Sequence, residues 1–167
     1  MKSALLLIGH GSPASDTPRD LVRELKRLEE RRQRAGAPEM TPAERALDRQ
    51  VRAWPRTAAS DPYREGLQAI GASLVSRLAG WTVALAYNEF CAPSVEDAVA
   101  RLASEGHDKI VFVTTMFTRG GVHAECEIPE ELERARRRHP KVAFAYAWPF
   151  DAEAVCELLA RQAEAVA

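Results

Sequence analysis

Four short apolar runs, at residues 5–8, 83–87, 110–115 and 142–147, punctuate the chain, and between them apolar positions recur every three or four residues. A run apolar at every position reads as a strand covered on both faces, the pattern of a parallel sheet under helices. The segments between carry helix signals. Asp16 or Thr17, followed by Pro18, opens one whose stripe is Leu21, Leu25 and Leu28. Asp61-Pro62 opens another bearing Tyr63, Leu67, Ile70, Leu74 and Leu78 on one face. Ser94 with Asp97 makes a capping-box pattern ahead of Val95, Val99 and Leu102. Pro129 begins a helix that stops before His139-Pro140, and a last one follows Asp151 through Val155, Leu158 and Leu159. Strand and helix alternating in this way predict an α/β fold, an open, mainly parallel four-stranded sheet flanked by helices and joined by right-handed crossovers.

One stretch breaks the rhythm. From about 29 to 60 the chain is rich in arginine and proline, and Thr41-Pro42-Ala43-Glu44 opens an extra helix bearing Leu47, Val51 and Trp54. It is expected to be a helical insertion within a single domain spanning 1–167. The simpler expectation is a surface hairpin with no part in chemistry, because loop insertions cost little stability. The other is a lid or subunit contact anchored by Trp54.

Charge and cysteine content narrow the class. Twenty-three basic and twenty-four acidic residues leave a net charge of −1, so no global field draws nucleic acid or an anionic membrane, and neither is expected as a partner. An anionic ligand must be held locally. Cys91, Cys126 and Cys156 are scattered, odd in number and free of CxxC spacing, which points to reduced thiols and a cytoplasmic protein. Cys126 is expected to pack inward on its helix. The first apolar run is too short for a signal peptide core or a membrane span. With no GxGxxG, Walker loop or GxSxG present, no organic cofactor is expected and a serine hydrolase is disfavoured.

In open α/β sheets, ligands bind outside the carboxyl ends of the strands. His10 follows the first strand, Asn88-Glu89 the second, Arg119-Gly120-Gly121-Val122-His123 the third and Trp148 the fourth, so the chemistry-bearing residues converge on one edge. Gly9 and Gly11 are expected to let the backbone turn and approach a ligand. The N–H groups of residues 12–16, leading into a helix, are expected to be able to receive an anion. Two imidazoles and a carboxylate suit divalent cobalt, iron, nickel or zinc. His107 and His139 lie in charged turns and are assigned no role. Histidine phosphatases carry Arg-His-Gly after their first strand, and Gly9 stands here in place of that arginine.

Three segments carry a family resemblance: LLLIGHGS at 5–12, YNEFCAPSVEDAV at 87–99 and MFTRGGVHAECEIPEEL at 116–132. Together and in this order they resemble the class II chelatases of the short sirohydrochlorin chelatase type, the CbiX and SirB group. The resemblance implies a chelatase-like, flavodoxin-like lobe that inserts Co2+ or Fe2+, with Ni2+ a further candidate, into a reduced tetrapyrrole during cobalamin or sirohaem synthesis. It implies that His10 and His123 ligate the metal and that Glu89 assists as ligand or acceptor of pyrrole protons. Gly9, Gly11, Ser12, Arg119, Gly120 and Gly121 would then border the tetrapyrrole, with Phe117, Trp148 and Trp54 covering its faces. Two one-lobe copies would pair as a homodimer. The chain departs from the family pattern in its insertion, in Asn88 where an apolar residue is usual, and in Cys126 and Glu127 where two carboxylates are expected. A non-catalytic metal or tetrapyrrole carrier, or an α/β phosphate-binding or phosphatase domain, are the rival readings.

Overall fold

In the computed structural model, which describes residues 1–167, the first apolar run becomes β1, Ser3–Gly9, buried at all seven positions. A strand without a polar face belongs in the middle of a covered sheet, and β1 is paired on both edges. The order is β2-β1-β3-β4, with β2 at Trp81–Tyr87, β3 at Lys109–Thr114 and β4 at Ala143–Tyr146, all parallel. Leu7 lies opposite both Leu85 and Val113. The expected parallel four-stranded α/β sheet is what forms. Full cover on both faces holds only for β1, however: β3 alternates buried and half-buried positions, and β4 is an edge strand with Ala143 exposed.

One face of the sheet packs under α4, Val95–Ser104, and α5, Ile128–Arg138. Leu6, Ile8, Phe112 and Ile110 interleave there with Val99, Leu102, Ile128 and Leu132. Each fully buried side chain of this size contributes roughly 1.5–3 kcal/mol, so this face carries most of the cohesion. The opposite face packs against α3, Pro62–Val75, through Leu5, Leu7 and Leu67. Asp61 caps α3 as its sequence predicts, accepting the Arg64 N–H at 3.0 Å. The helix ends earlier than its apolar stripe suggests, and Ile70 is about half exposed. His107 is buried, with its ring nitrogens 2.9 Å from the Leu102 carbonyl and 2.8 Å from Thr82 Oγ1, a packing role away from the carboxyl edge.

The largest difference from expectation concerns α1, Arg19–Arg34. Its stripe does not cover the sheet. It packs on α2, Pro42–Arg52, and on Phe90 in the loop after β2, so that Leu25, Val51 and Phe90 form a separate small core. The β1-to-β2 crossover is made by α3 instead, and the α1–α2 pair sits at the carboxyl edge. α1 also begins one residue late: Pro18 is its N-cap, and neither Asp16 nor Thr17 caps it. At the far end α6, Ala152–Glu164, has no buried residue. Leu158 and Leu159, apolar positions that the sequence places on this helix, are exposed.

Candidate metal centre

Two loops lie side by side at the carboxyl edge because the parallel ladder continues past the strands. The Asn88 N–H donates to the Gly9 carbonyl at 2.9 Å and the Glu89 N–H to the His10 carbonyl at 2.8 Å. Gly11 makes this approach possible. It has φ +92, and a Cβ there would fall 1.9 Å from the Glu89 carbonyl oxygen. A Cβ on Gly9 would meet Leu67 Cδ2 at 2.8 Å and Tyr63 Oη at 2.9 Å, and that phenol accepts the His10 N–H at 2.7 Å. Gly11 therefore lets the two loops pack on each other, and Gly9 lets the end of β1 pack on α3. Tyr63 was read as part of an apolar face, and no local signal marks it as a partner of His10.

His10, Glu89 and His123 come together, with one ligand atom from each lying within 4.8 Å of the others. The two imidazoles meet edge to face, their centroids 4.7 Å apart. His10 Nδ1 lies 2.7 Å from the Gly11 carbonyl, which can only accept, so Nδ1 holds the proton and Nε2 is left for a ligand. His123 is oriented by a carboxylate. It opens a π-helical turn, His123–Glu127, closed by the Ile128 N–H donating to the His123 carbonyl. Within the turn, His123 Nδ1 is 2.8 Å from Glu127 Oε2, and the Asn88 amide donates to the same oxygen at 2.6 Å. Turns of this kind occur often at functional sites. Burial pushes the Glu127 carboxyl up, but the hydrogen bonds from His123 and Asn88 outweigh it and hold it below the usual carboxylate range. The four-residue spacing from His123 was the signal that could have assigned Glu127 this role.

Glu89 has a partner that sequence reasoning missed. Lys26 Nζ, from α1, lies 2.9 Å from both Glu89 oxygens and 2.8 Å from Glu29 Oε2, and sits 4.8 Å from the Phe90 ring centroid. Desolvation pulls its pKa down, and the two carboxylates more than compensate, so the net direction is up. The loops are held from behind by the insertion. Arg52 donates to the carbonyls of Tyr87, Asn88 and Cys91 at 3.1, 2.7 and 2.8 Å. Arg56 is buried against Asp61 and donates to the carbonyls of Ser12, at 2.8 Å, and Phe90. Phe90 itself has φ +57. A surface hairpin without bearing on the site is therefore not what this segment forms.

The remaining candidates lie outside the cluster. The Ser12 hydroxyl faces the Pro13 carbonyl at 3.3 Å. Of the N–H groups of residues 12–16, that of Ser15 is spent on the Ser60 carbonyl, while the Thr17 N–H just beyond them donates to Ala14. Arg119 is largely exposed, 3.6 Å from Glu125, and Gly120 and Gly121 form an open turn beside it. Cys126 is exposed, not packed inward: Ala124 and Ile128 are the residues of this turn that face the core. Trp148 stacks on Tyr146 at 6.1 Å and meets Phe150 edge-on. Phe117 is exposed and Trp54 half-buried.

Comparison with known proteins gives a consistent picture. The model of the CbiX family matches residues 59–165. A sirohydrochlorin cobaltochelatase of Methanopyrus kandleri is 43% identical over 51 residues, which is 30% of this chain and 35% of that protein's length. A CbiX protein of Marinobacter aquaeolei VT8 shares the fold at 17% identity and a TM-score of 0.55, over 97% of this chain and 98% of that one. The sirohydrochlorin chelatase SirB of Bacillus subtilis subspecies spizizenii, solved in complex with cobalt, aligns at 19% identity and a TM-score of 0.52 over 98% of this chain. SirB from Bacillus subtilis with Fe3+ aligns at 22% and 0.52 over 96% of this chain. The chain spans only 51% and 46% of those two SirB chains.

Proposed function

This chain belongs to the CbiX family, and from that premise we propose that it is a sirohydrochlorin chelatase, inserting Co2+ or Fe2+ into the reduced tetrapyrrole. The observation that carries the reading is the meeting of His10, Glu89 and His123 at the carboxyl edge. Support also comes from relatives described as a sirohydrochlorin cobaltochelatase and as SirB with cobalt or Fe3+.

In this reading the metal is a substrate. Two neutral imidazoles, each presenting Nε2, and one carboxylate strip water from the ion without enclosing it, and an open coordination side faces the macrocycle. The macrocycle gives up two pyrrole N–H protons as the ion enters its centre. Glu89, vacated by the departing metal, accepts a proton at its carboxylate and passes it to water, which frees it for the next. Arg119 is exposed at the rim and suits the substrate's carboxylates. Phe117, Trp148 and Trp54 offer apolar cover for the ring.

The same reading includes a homodimer in the cytoplasm. α6 presents Val155, Leu158 and Leu159 with no residue buried, and Val111 and Val113 of β3 are only half-covered, so a second copy has apolar surface to seal. Unpaired thiols at all three cysteines fit a reducing compartment. No helix is long and apolar enough to cross a membrane.

The activity test follows the absorption spectrum of sirohydrochlorin with Co2+, Fe2+ or Ni2+, with and without the protein. Catalytic turnover, many ions inserted per protein molecule, is expected with Co2+ or Fe2+. A spectrum that changes no faster with protein present refutes the chelatase reading, and a single stoichiometric, unreleased complex identifies a carrier instead.

A further inference from the structure

Glu89 does not wait for a metal with free oxygens. Both are engaged at 2.9 Å by Lys26 Nζ, whose third contact, 2.8 Å away, is Glu29. An ammonium has three N–H donors, and here they serve a candidate metal ligand on one side and a carboxylate of its own helix, at i+3, on the other. Glu89 is mostly covered, with 14% of its side chain exposed, so its charge is poorly screened and a counter-charge is needed whenever no ion is present. The three ligand atoms lie within 4.8 Å of one another, so the ammonium stands beside a ready-made donor set.

We propose that Lys26 is the resident counter-cation of Glu89, displaced onto Glu29 when a divalent ion enters and returning when the ion leaves. This rests on the reading of His10, Glu89 and His123 as the metal site, and adds to it a device that keeps binding labile. A carboxylate and two imidazoles with no competitor would hold the ion. With an ammonium poised beside the carboxylate, loss of the ion to the macrocycle leaves no bare charge behind. No bond is made or broken in the exchange itself, and the ammonium returns to Glu89 once the pyrrole protons that this carboxylate accepted have passed to water. A lysine that merely ties α1 to the β2 loop would act in the opposite sense, since cutting the tie would loosen Glu89 and weaken metal binding.

The experiment titrates the protein with Co2+ alone, at low and high salt, in the unsubstituted chain and in K26M, K26Q, E29Q and K26M/E29Q. Removing a positive charge next to a ligand is expected to tighten Co2+ binding by roughly tenfold in K26M and K26Q, less at high salt. E29Q, which denies Lys26 its second seat, is expected to weaken binding several-fold, and this effect should shrink when Lys26 is already gone. Unchanged or weaker binding in both Lys26 variants, with thermal midpoints near that of the parent, overturns the proposal, as does an E29Q effect undiminished in the double variant. H10A separates the two ideas: if H10A abolishes Co2+ binding while K26M leaves it unchanged, the site stands and the counter-cation falls. If H10A binds Co2+ like the parent, the site itself falls and the counter-cation with it.

Discussion

A partner on one ring nitrogen fixes which nitrogen of an imidazole is offered to a metal, and the residues that settle this are His10's own neighbour and the last residue of the π turn. The Gly11 carbonyl holds His10 Nδ1, and Glu127 holds His123 Nδ1. E127A is expected to keep the fold yet weaken Co2+ binding by about 10–100-fold, the usual effect of removing such a partner; binding equal to the parent's in a titration would show that His123 needs no orienting carboxylate. Gly11 makes a harder prediction. With φ +92 and the Glu89 carbonyl 1.9 Å from any Cβ, G11A must push the two loops apart, and loss of Co2+ binding together with several degrees of thermal midpoint is expected. The convergence of His10, Glu89 and His123 on one edge was legible in the sequence because strand ends in a parallel sheet are predictable from apolar runs. Lys26 and Tyr63 were not, since their relevance depends on where α1 and α3 come to rest.

At the scale of elements, the insertion is the part whose presence was legible and whose place was not. Thr41 caps α2 as its sequence suggests, accepting the Glu44 N–H at 3.1 Å. Nothing local, however, tells that Leu25 and Val51 enclose Phe90 instead of covering the sheet. The consequence is that Arg52 and Arg56 satisfy five loop carbonyls from behind the site, those of Ser12, Tyr87, Asn88, Phe90 and Cys91. R52M leaves three carbonyls short of a charged donor, and urea unfolding is expected to show a loss of about 3 kcal/mol or more. R52K should recover little, because a single ammonium cannot span carbonyls that a planar guanidinium reaches with separate N–H groups. Parental stability in R52M would mean that the loops hold themselves. Deleting 36–58 removes both arginines and is expected to cost folding of the site.

For the molecule as a whole, strand number, parallel direction and the carboxyl edge could be read ahead of the structure, whereas the order β2-β1-β3-β4 and the exposed flank could not. α6 carries the apolar positions Val155, Leu158 and Leu159, but no part of it is buried. Light scattering is expected to give a dimer mass, and L158R/L159R a monomer; a monomeric parent would remove the second copy from the account. Alkali probes the core in another way. Burial pushes Tyr87 and Tyr146 up to about 12, above the ordinary value of 10.0. Their neutral form is favoured by the fold, so their contribution is complete below pH 10.0 and is lost as pH rises towards about 12. Tyrosinate absorption should therefore lag for two of the three tyrosines and appear with unfolding.

The central claim, that one divalent ion is gripped jointly by His10, His123 and Glu89 and passed on to a tetrapyrrole, is tested most directly by the initial rate of Co2+ insertion into sirohydrochlorin in H10A, H123A and E89Q beside the parent. Each histidine variant is expected to remain folded and to lose insertion by at least a hundredfold, with E89Q losing more in rate than in Co2+ affinity. Parental rates in H10A and H123A would contradict the account.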